Sequence, residues 1–309
     1  MPRRIAAGLP KAGGDVTSWF MKRAVLFLVL GVMPGALLLT GADPALAQTG
    51  AGSGGVFTGA GAASVDADYA FYTAGLNTGD LGTAIDLGPE GYRLKFAFHT
   101  AGLFSAFVHG QNETLVEGHW EGTEAVPERY DSTGLWSGEK WQTVIDYADQ
   151  EPFVRTLIPP REPDRDTVTP AEARQSLDSV SAMALLVHRV QATGRCDGTA
   201  RLFDGRRLMR LSAHTIGTEI VPRSSRSPYF GPAQRCDFEG VLIGGIEHDK
   251  EEASTLKPKR GSAWFAVAAP GMPPLPIRMD FETIWFGTAS MYLTSLKARG
   301  AAMVAGTGH

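Results

Sequence analysis

A chain of 309 residues, 43% of them hydrophobic, is long enough to bury one large core or two small ones. Its formal net charge of −4 argues against binding to nucleic acid or to an anionic membrane surface, so neither is expected as a partner. No internal repeat of fixed period is present.

The N-terminal region predicts export. The basic start Met21-Lys22-Arg23 precedes an apolar run, residues 24–39, and the small-residue motif Ala45-Leu46-Ala47. This order is that of a secretory signal peptide, with Met21 as the functional start and cleavage between Ala47 and Gln48. The protein is therefore expected in the periplasm, with membrane contact only through the signal segment before its cleavage.

An uncleaved membrane anchor is the alternative for the same segment. Pro34 and Gly35 interrupt the apolar run, which is short for a membrane-spanning helix, so cleavage is favoured. The predicted organisation is a signal peptide (1–47), a flexible glycine-rich leader (48–64), a single β-rich domain (65–298) and a disordered tail (299–309).

Alternating apolar and polar residues predict about ten antiparallel strands. In the clearest strand, Tyr92, Leu94, Phe96 and Phe98 share one face, and polar or small residues occupy the other. Such a period of two is typical of a strand with one buried face. A hairpin is expected around the loop Ser137–Lys140, and further strands are expected at residues 103–108 and 275–281.

One long helix is predicted after Asp178, whose carboxylate can cap the first turn, and Gly194 provides a stop. A second helix start is suggested by the capping box Thr169–Glu172. The helix precedes the second half of the strands. The predicted fold is mainly β: an antiparallel, strongly curved open or half barrel wrapped around one central α-helix. A closed barrel without a helix fits this order less well.

The two cysteines, Cys196 and Cys236, are expected to form a disulfide because an exported chain meets an oxidising compartment. A metal pair or a redox pair are the alternatives. Redox cysteines are usually two residues apart, and metal sites need further ligands nearby.

No motif for catalysis or for cofactor binding is present. His99, His109 and His119 are spaced by ten residues and suggest a metal site, but the sequence favours ordinary surface histidines. We therefore predict no catalytic residue, no metal ligand and no cofactor. The sequence does not decide whether the chain is an enzyme, and it favours a non-catalytic role.

Two groups of residues are candidates for contact with a ligand or partner. Asp204-Gly205 predicts a turn, and Arg206 and Arg207 beside it either belong to that turn or bind an anionic group. The aromatic residues either fill the core or line a cavity for an apolar ligand. The aromatic candidates are Tyr92, Phe96, Phe98, Trp120 and Tyr130.

Several motifs together resemble the domain of unknown function 3108 family. They are Thr100–Leu103, Pro127-x-x-Tyr130, Asp178–Ala182, Cys196, the Phe-Asp-Gly-Arg-Arg stretch at Phe203–Arg207, and Cys236 followed by Gly244. The resemblance spans residues 66–246, and Ser179-Val180 departs from the Pro-Leu often found in the family. It implies an exported envelope protein of antiparallel β type, with Cys196 paired to Cys236, and it implies no known reaction.

The favoured hypothesis is a non-catalytic periplasmic protein that binds an apolar or amphipathic, lipid-like ligand in the hollow of a curved sheet. One alternative is a structural module that contacts another envelope protein through the Arg206-Arg207 turn and an exposed sheet edge. The other is a metal hydrolase that depends on His99, His109 or His119.

Overall fold

The computed structural model describes residues 63–248, 257–283 and 287–299. In these ranges the chain forms fourteen β-strands and one α-helix. The strands are β1 (Ala63–Thr73), β2 (Leu76–Leu87), β3 (Gly91–Thr100), β4 (Gly110–Glu121), β5 (Glu124–Trp136), β6 (Glu139–Ala148), β7 (Glu151–Ile158), β8 (Ser176–Leu177), β9 (Gly198–Phe203), β10 (Leu208–Val221), β11 (Gly231–Gly244), β12 (Lys259–Ala266), β13 (Leu275–Glu282) and β14 (Thr288–Ala298). The helix α1 (Ser179–Thr193) lies between β8 and β9.

The fourteen strands belong to a single sheet. Its order is β7-β6-β5-β4-β3-β2-β1-β14-β13-β12-β11-β10-β9-β8, so the pairing of β1 with β14 joins two runs of sequential neighbours. All the strand pairs are antiparallel except β8 with β9. The predicted signal segment and residues 48–62 of the predicted leader lie outside the described residues, and Ala63 already belongs to β1.

The two edges of this sheet, β7 and β8, are joined by contacts across the gap. Arg206 donates a hydrogen bond to the carbonyl oxygen of Pro159, just after β7, and the amide of Gln175 donates to Gln150 O at 2.8 Å. Arg174 and Glu151 form an ion pair of 3.4 Å across the same gap. The sheet is therefore a nearly closed barrel, and the prediction of an open or half barrel was wrong.

The main reason for that error is that strands were missed. The strand β2 reads LNTGDLGTAIDL, in which glycine, threonine and aspartate hide the alternation, although every second residue from Gly79 to Leu87 is buried. Gly79 is required there because a Cβ atom at this position would overlap the ring of Phe98. With fourteen twisted strands instead of ten, the sheet can curl around until its edges meet.

Two predicted turns are present. β5 and β6 form a hairpin across Ser137 and Gly138, whose φ values of 48° and 85° are those of a type I′ turn. Asp204–Arg207 connects β9 to β10, and the Asp204 carboxylate accepts the backbone amides of Arg206 and Arg207 at 2.8 and 2.7 Å.

Two other local predictions were wrong. Residues 103–108 do not form a strand: residues 103–106 belong to a short 3₁₀ turn, Gly102–Ala106, and the next two lead from it toward β4. The capping box does form, because Thr169 and Glu172 exchange hydrogen bonds of 2.7 to 3.2 Å, but it begins only a turn. Arg201 donates to the carbonyl oxygens of Glu172 and Arg174, which a continuing helix would need for its own hydrogen bonds.

The helix α1 begins and ends close to where the sequence predicts. Asp178 accepts hydrogen bonds from the amides of Val180 and Ser181 at 2.9 and 2.8 Å, and Gly194 ends the helix in a left-handed conformation. Eight of its fifteen residues are buried, and it packs against β3, β4, β5 and β9. No helix in the described ranges is both long enough and apolar enough to span a membrane.

Cys196 and Cys236 form a disulfide, with Cα atoms 6.2 Å apart. It joins the link between α1 and β9 to the middle of β11. Thr215, on β10, is paired with Cys236 and accepts the amide of Cys196 at 2.9 Å. The disulfide therefore fixes the C-terminal end of α1 to the second half of the sheet.

Candidate functional site

The two ends of the barrel differ in how they are packed. We name them by two tryptophans: the Trp136 end, where β5 ends and β4 begins, and the Trp120 end, near the far end of β4. At the Trp120 end, the ring of Trp120 stacks on His188 of α1, with centroids 4.1 Å apart, and contacts the ring of Tyr92 at 4.8 Å. Arg189 binds both carboxylate oxygens of Glu124, so the C-terminal half of α1 fills this end.

A cavity of about 240 Å³ extends from the Trp136 end along α1. Aliphatic and aromatic side chains from both halves of the sheet form most of its wall, and Ser179, Val180, Met183, Leu186 and Val187 of α1 form one side. The aromatic members of the wall are Tyr69, Phe71, Phe96, Phe98, Tyr130, Trp136, Trp141, Phe203, Phe238 and Phe281.

Glycines explain why so many rings leave a cavity unfilled. A Cβ atom at Gly110 would overlap the ring of Trp136, and one at Gly134 would overlap that of Trp141. The ring of Phe238 lies in the same way over Gly261. Each ring can therefore lie flat on the backbone of the adjacent strand instead of projecting across the barrel.

Three of the five predicted aromatic contacts line the cavity, and two do not. Phe96, Phe98 and Tyr130 belong to its wall. Tyr92 and Trp120 share the inner face but lie beyond the cavity, in the packed Trp120 end, where the Trp120 indole donates to Gly88 O at 3.0 Å. Period-two alternation in the sequence identifies which residues face the inside of the barrel. It does not show how much of the barrel interior α1 fills.

The two predicted arginines have separate roles. The side chain of Arg206 is only 7% exposed and binds the Pro159 carbonyl oxygen, with Glu162 at 3.9 Å. Burial lowers the pKa of Arg206. Arg207 lines the cavity, where its guanidinium contacts the Asp204 carboxylate at 2.8 and 2.9 Å.

The strongly polar residues of the wall gather at the Trp136 end. Gln111 and Asn112 are at the start of β4, Asp204 and Arg207 are in the β9–β10 turn, and Lys259 begins β12. The rest of the wall is apolar apart from a few hydroxyl groups. Neither Lys259 nor Met183 was predicted from the sequence as a site residue. The signal available for Lys259 was its alternation along one strand with Gly261, Ala263 and Phe265, which predicts that all four residues share a face.

A buried polar cluster lies beside the cavity at the start of α1. Asp178 also accepts the Ser181 hydroxyl at 2.6 Å, and burial raises the pKa of this carboxyl despite its three hydrogen bonds. Burial likewise raises the pKa of Tyr130 and Tyr147, and both values rise further through the nearby Asp178 charge. The capped N-terminus of α1 is thus buried, and the helix contacts β5.

The histidine spacing does not produce a metal site. His99 pairs with Gln111 and His119 with Gly91, so eight residues of β3, about 27 Å, separate them. His99 lies 3.7 Å from Asp80, and His119 contacts Glu128 at 2.8 Å. Within the three described ranges, no group of three or more His, Cys, Asp or Glu side chains is placed to hold a metal ion.

In the part of the chain that the structure describes, the fold and the site together define a barrel-like, mainly β protein with one helix, a disulfide and an internal apolar cavity. A family model described as "Protein of unknown function (DUF3108)" matches residues 66–294, so the chain belongs to the DUF3108 family. The resemblance drawn from the motifs is confirmed, and the match continues beyond residue 246.

Among solved structures, the chain is similar to a β-barrel-like protein of domain of unknown function DUF1849 from Brucella abortus. The TM-score is 0.49 at 12% sequence identity, over 78% of this chain and 100% of that one. No curated protein matches this chain.

Proposed function

We propose that this protein is a non-catalytic, exported envelope protein that binds an apolar or amphipathic ligand inside its barrel. The observation that carries the proposal is the cavity of about 240 Å³ with apolar walls. An engineered apolar cavity of about 150 Å³ in another protein stays dry and binds benzene, so this larger space is sufficient for a small apolar group.

The apolar wall of the cavity has an energetic consequence. An apolar occupant that replaces water there removes apolar surface from solvent, and such burial contributes about 25 cal/mol per Å². This gain favours a binding role over a purely structural one for the space between α1 and the sheet.

Export and a periplasmic location are part of the proposal. The signal-like segment at residues 1–47 supports them, and so does the Cys196–Cys236 disulfide, because disulfides persist in oxidising compartments. The Arg206-Arg207 turn as a partner surface has less support, since the Arg206 side chain is buried.

Titration of the purified protein with the neutral fluorescent probe N-phenyl-1-naphthylamine tests the binding role. We expect saturable binding at one site per chain. Met183→Trp places an indole in the cavity and should weaken binding at least tenfold, because it occupies the space that the probe needs.

The matched control is Ile220→Trp, which adds the same side chain at a position on β10 that is 70% exposed and should leave probe affinity unchanged. Circular dichroism and thermal melting verify that both variants fold. The proposal fails if the wild-type protein shows no saturable binding, or if folded Met183→Trp binds as the wild type does.

A further inference from the structure

Lys259 lies on the inner face of the barrel. On β12 it shares the face of Gly261, Ala263 and Phe265, the last two of which are fully buried, and it is part of the cavity wall. Arg260 points to the opposite face, where it forms an ion pair with Glu239 at 2.9 Å. The alternation of the strand therefore directs the Lys259 side chain toward the cavity.

The ammonium group of Lys259 forms no ion pair within 4.0 Å and no hydrogen bond with any residue in the described part of the chain. Glu282 is exposed and acts on it only at longer range. Partial burial lowers the pKa of Lys259, and the neighbouring Lys257 lowers it further. Both effects disfavour the charged form of Lys259, and a negatively charged partner would offset them.

The other charged residues of the wall are already matched. Asp204 and Arg207 are bound to each other, and Asp204 also accepts two backbone amides in its turn. Among the described residues that line the cavity, Lys259 is thus the cation whose charge is not balanced by a direct contact. Away from the Trp136 end the wall is mainly apolar, so the cavity is itself amphipathic.

We propose that the cavity binds a single-chain amphiphile with an anionic head, which pairs with Lys259, and an alkyl chain that extends along α1. This inference rests on the proposed function and names its ligand class. The alkyl chain of the ligand would pass over the rings of Phe238 and Phe281, whose centroids are 6.2 Å apart. A cavity of about 240 Å³ is large enough for several methylene groups of such an alkyl chain.

Isothermal titration calorimetry with decanoate and decan-1-ol, which differ in the head alone, tests the inference. Wild-type protein should bind decanoate about tenfold more tightly, since a charge-assisted hydrogen bond to a partly buried ammonium is stronger than a neutral one. Lys259→Met should bring decanoate to the affinity of decan-1-ol and leave the affinity for the alcohol unchanged.

Arg260→Met is the matched control, because it removes one positive charge from the outer face of the same strand and should keep the preference for decanoate. Lys259→Gln provides a second neutral variant if Lys259→Met does not fold. If the wild-type protein binds decanoate and decan-1-ol equally, or if the neutral variant still prefers decanoate, then the pairing of an anionic head with Lys259 is wrong. Binding of an apolar chain in the cavity would remain supported. Failure of the wild-type protein to bind either compound overturns the proposed function itself.

Decyl phosphate in the same titrations distinguishes a carboxylate head from a phosphate head. Acetate and inorganic phosphate, which lack a long alkyl chain, test whether that chain is needed for binding. Tight binding of either free anion, at the affinity of its alkyl counterpart, would contradict an amphiphile and indicate a simple anion site at Lys259.

Discussion

At the scale of single residues, polar contacts at the ends of elements fix where the chain turns. Asp178 caps α1 from a fully buried position, and Asp197 acts in the loop that follows the helix. The Asp197 carboxylate accepts the hydroxyl and the amide of Thr215 at 2.7 and 3.1 Å and binds Arg195 at 3.0 Å. The hydrogen bonds from Thr215 are the main reason that the pKa of Asp197 falls to about 2.

This lowered pKa predicts a component of acid instability. The contribution of Asp197 is complete above its ordinary pKa of 3.8 and is lost as the pH falls through about 2. Asp197→Asn should therefore lower stability at pH 7 and make unfolding less dependent on pH between about 4 and 2. Because the carboxylate is exposed to solvent, we expect about 1 kcal/mol or less.

Urea unfolding of the wild type and the variant at pH 7, 4 and 2.5 measures this difference. Asp68→Asn, at an exposed position on β1, serves as a control for the loss of one surface carboxylate. An identical pH profile for the wild type and Asp197→Asn would contradict the role given to Thr215.

At the scale of elements, one of the two predicted helix starts leads to a helix, and tertiary contacts prevent the other from doing so. The Asp178 cap and Gly194 stop of α1 are both realised. The Thr169–Glu172 capping box forms its hydrogen bonds without a helix, because Arg201 takes the carbonyl oxygens that a helix would use. Tertiary contacts thus decide whether a cap leads to a helix.

The disulfide belongs to this scale because it joins two elements, the end of α1 and β11. Cys196→Ser/Cys236→Ser should destabilise the protein by about 2–5 kcal/mol, since the loop of forty residues becomes free in the unfolded chain. Guanidinium unfolding monitored by tryptophan fluorescence measures the loss, and the wild type with reductant should approach the variant. A loss below about 1 kcal/mol would show that Thr215 and packing alone hold the helix end.

At the scale of the whole molecule, closure of the barrel depends on the segment between β7 and β8, residues 159–175. Arg206 reaches this segment through the Pro159 carbonyl oxygen, and Arg165 joins it to the end of β11 through Gly245 O, at 2.7 Å, and Glu247. The side chains of these arginines are buried, so water competes little for their contacts.

Arg206→Ala should therefore destabilise the protein by about 3–5 kcal/mol, as expected when one member of a buried charged group is removed. Hydrogen exchange should rise first in β7 and β8, the two strands that the segment joins. Arg129→Ala, which removes an exposed arginine from β5, should cost about 1 kcal/mol or less. If Arg206→Ala were as stable as the wild type, the role of Arg206 in closure would be refuted.

The sequence by itself determined the mainly β class, the helix with its cap and stop, the β5–β6 hairpin, the cysteine pair and the family. Local periodicity, turn residues or short motifs are enough to predict each of these features. The number of strands, the closure of the barrel and the burial of Arg206 depended on tertiary structure. Glycine, threonine and aspartate hide the alternation of β2, and contacts with distant segments bury Arg206. The cavity was decided in the same way: rings of Phe98, Trp136 and Trp141 lie over glycines on neighbouring strands, and only the register of the sheet brings each ring to its glycine.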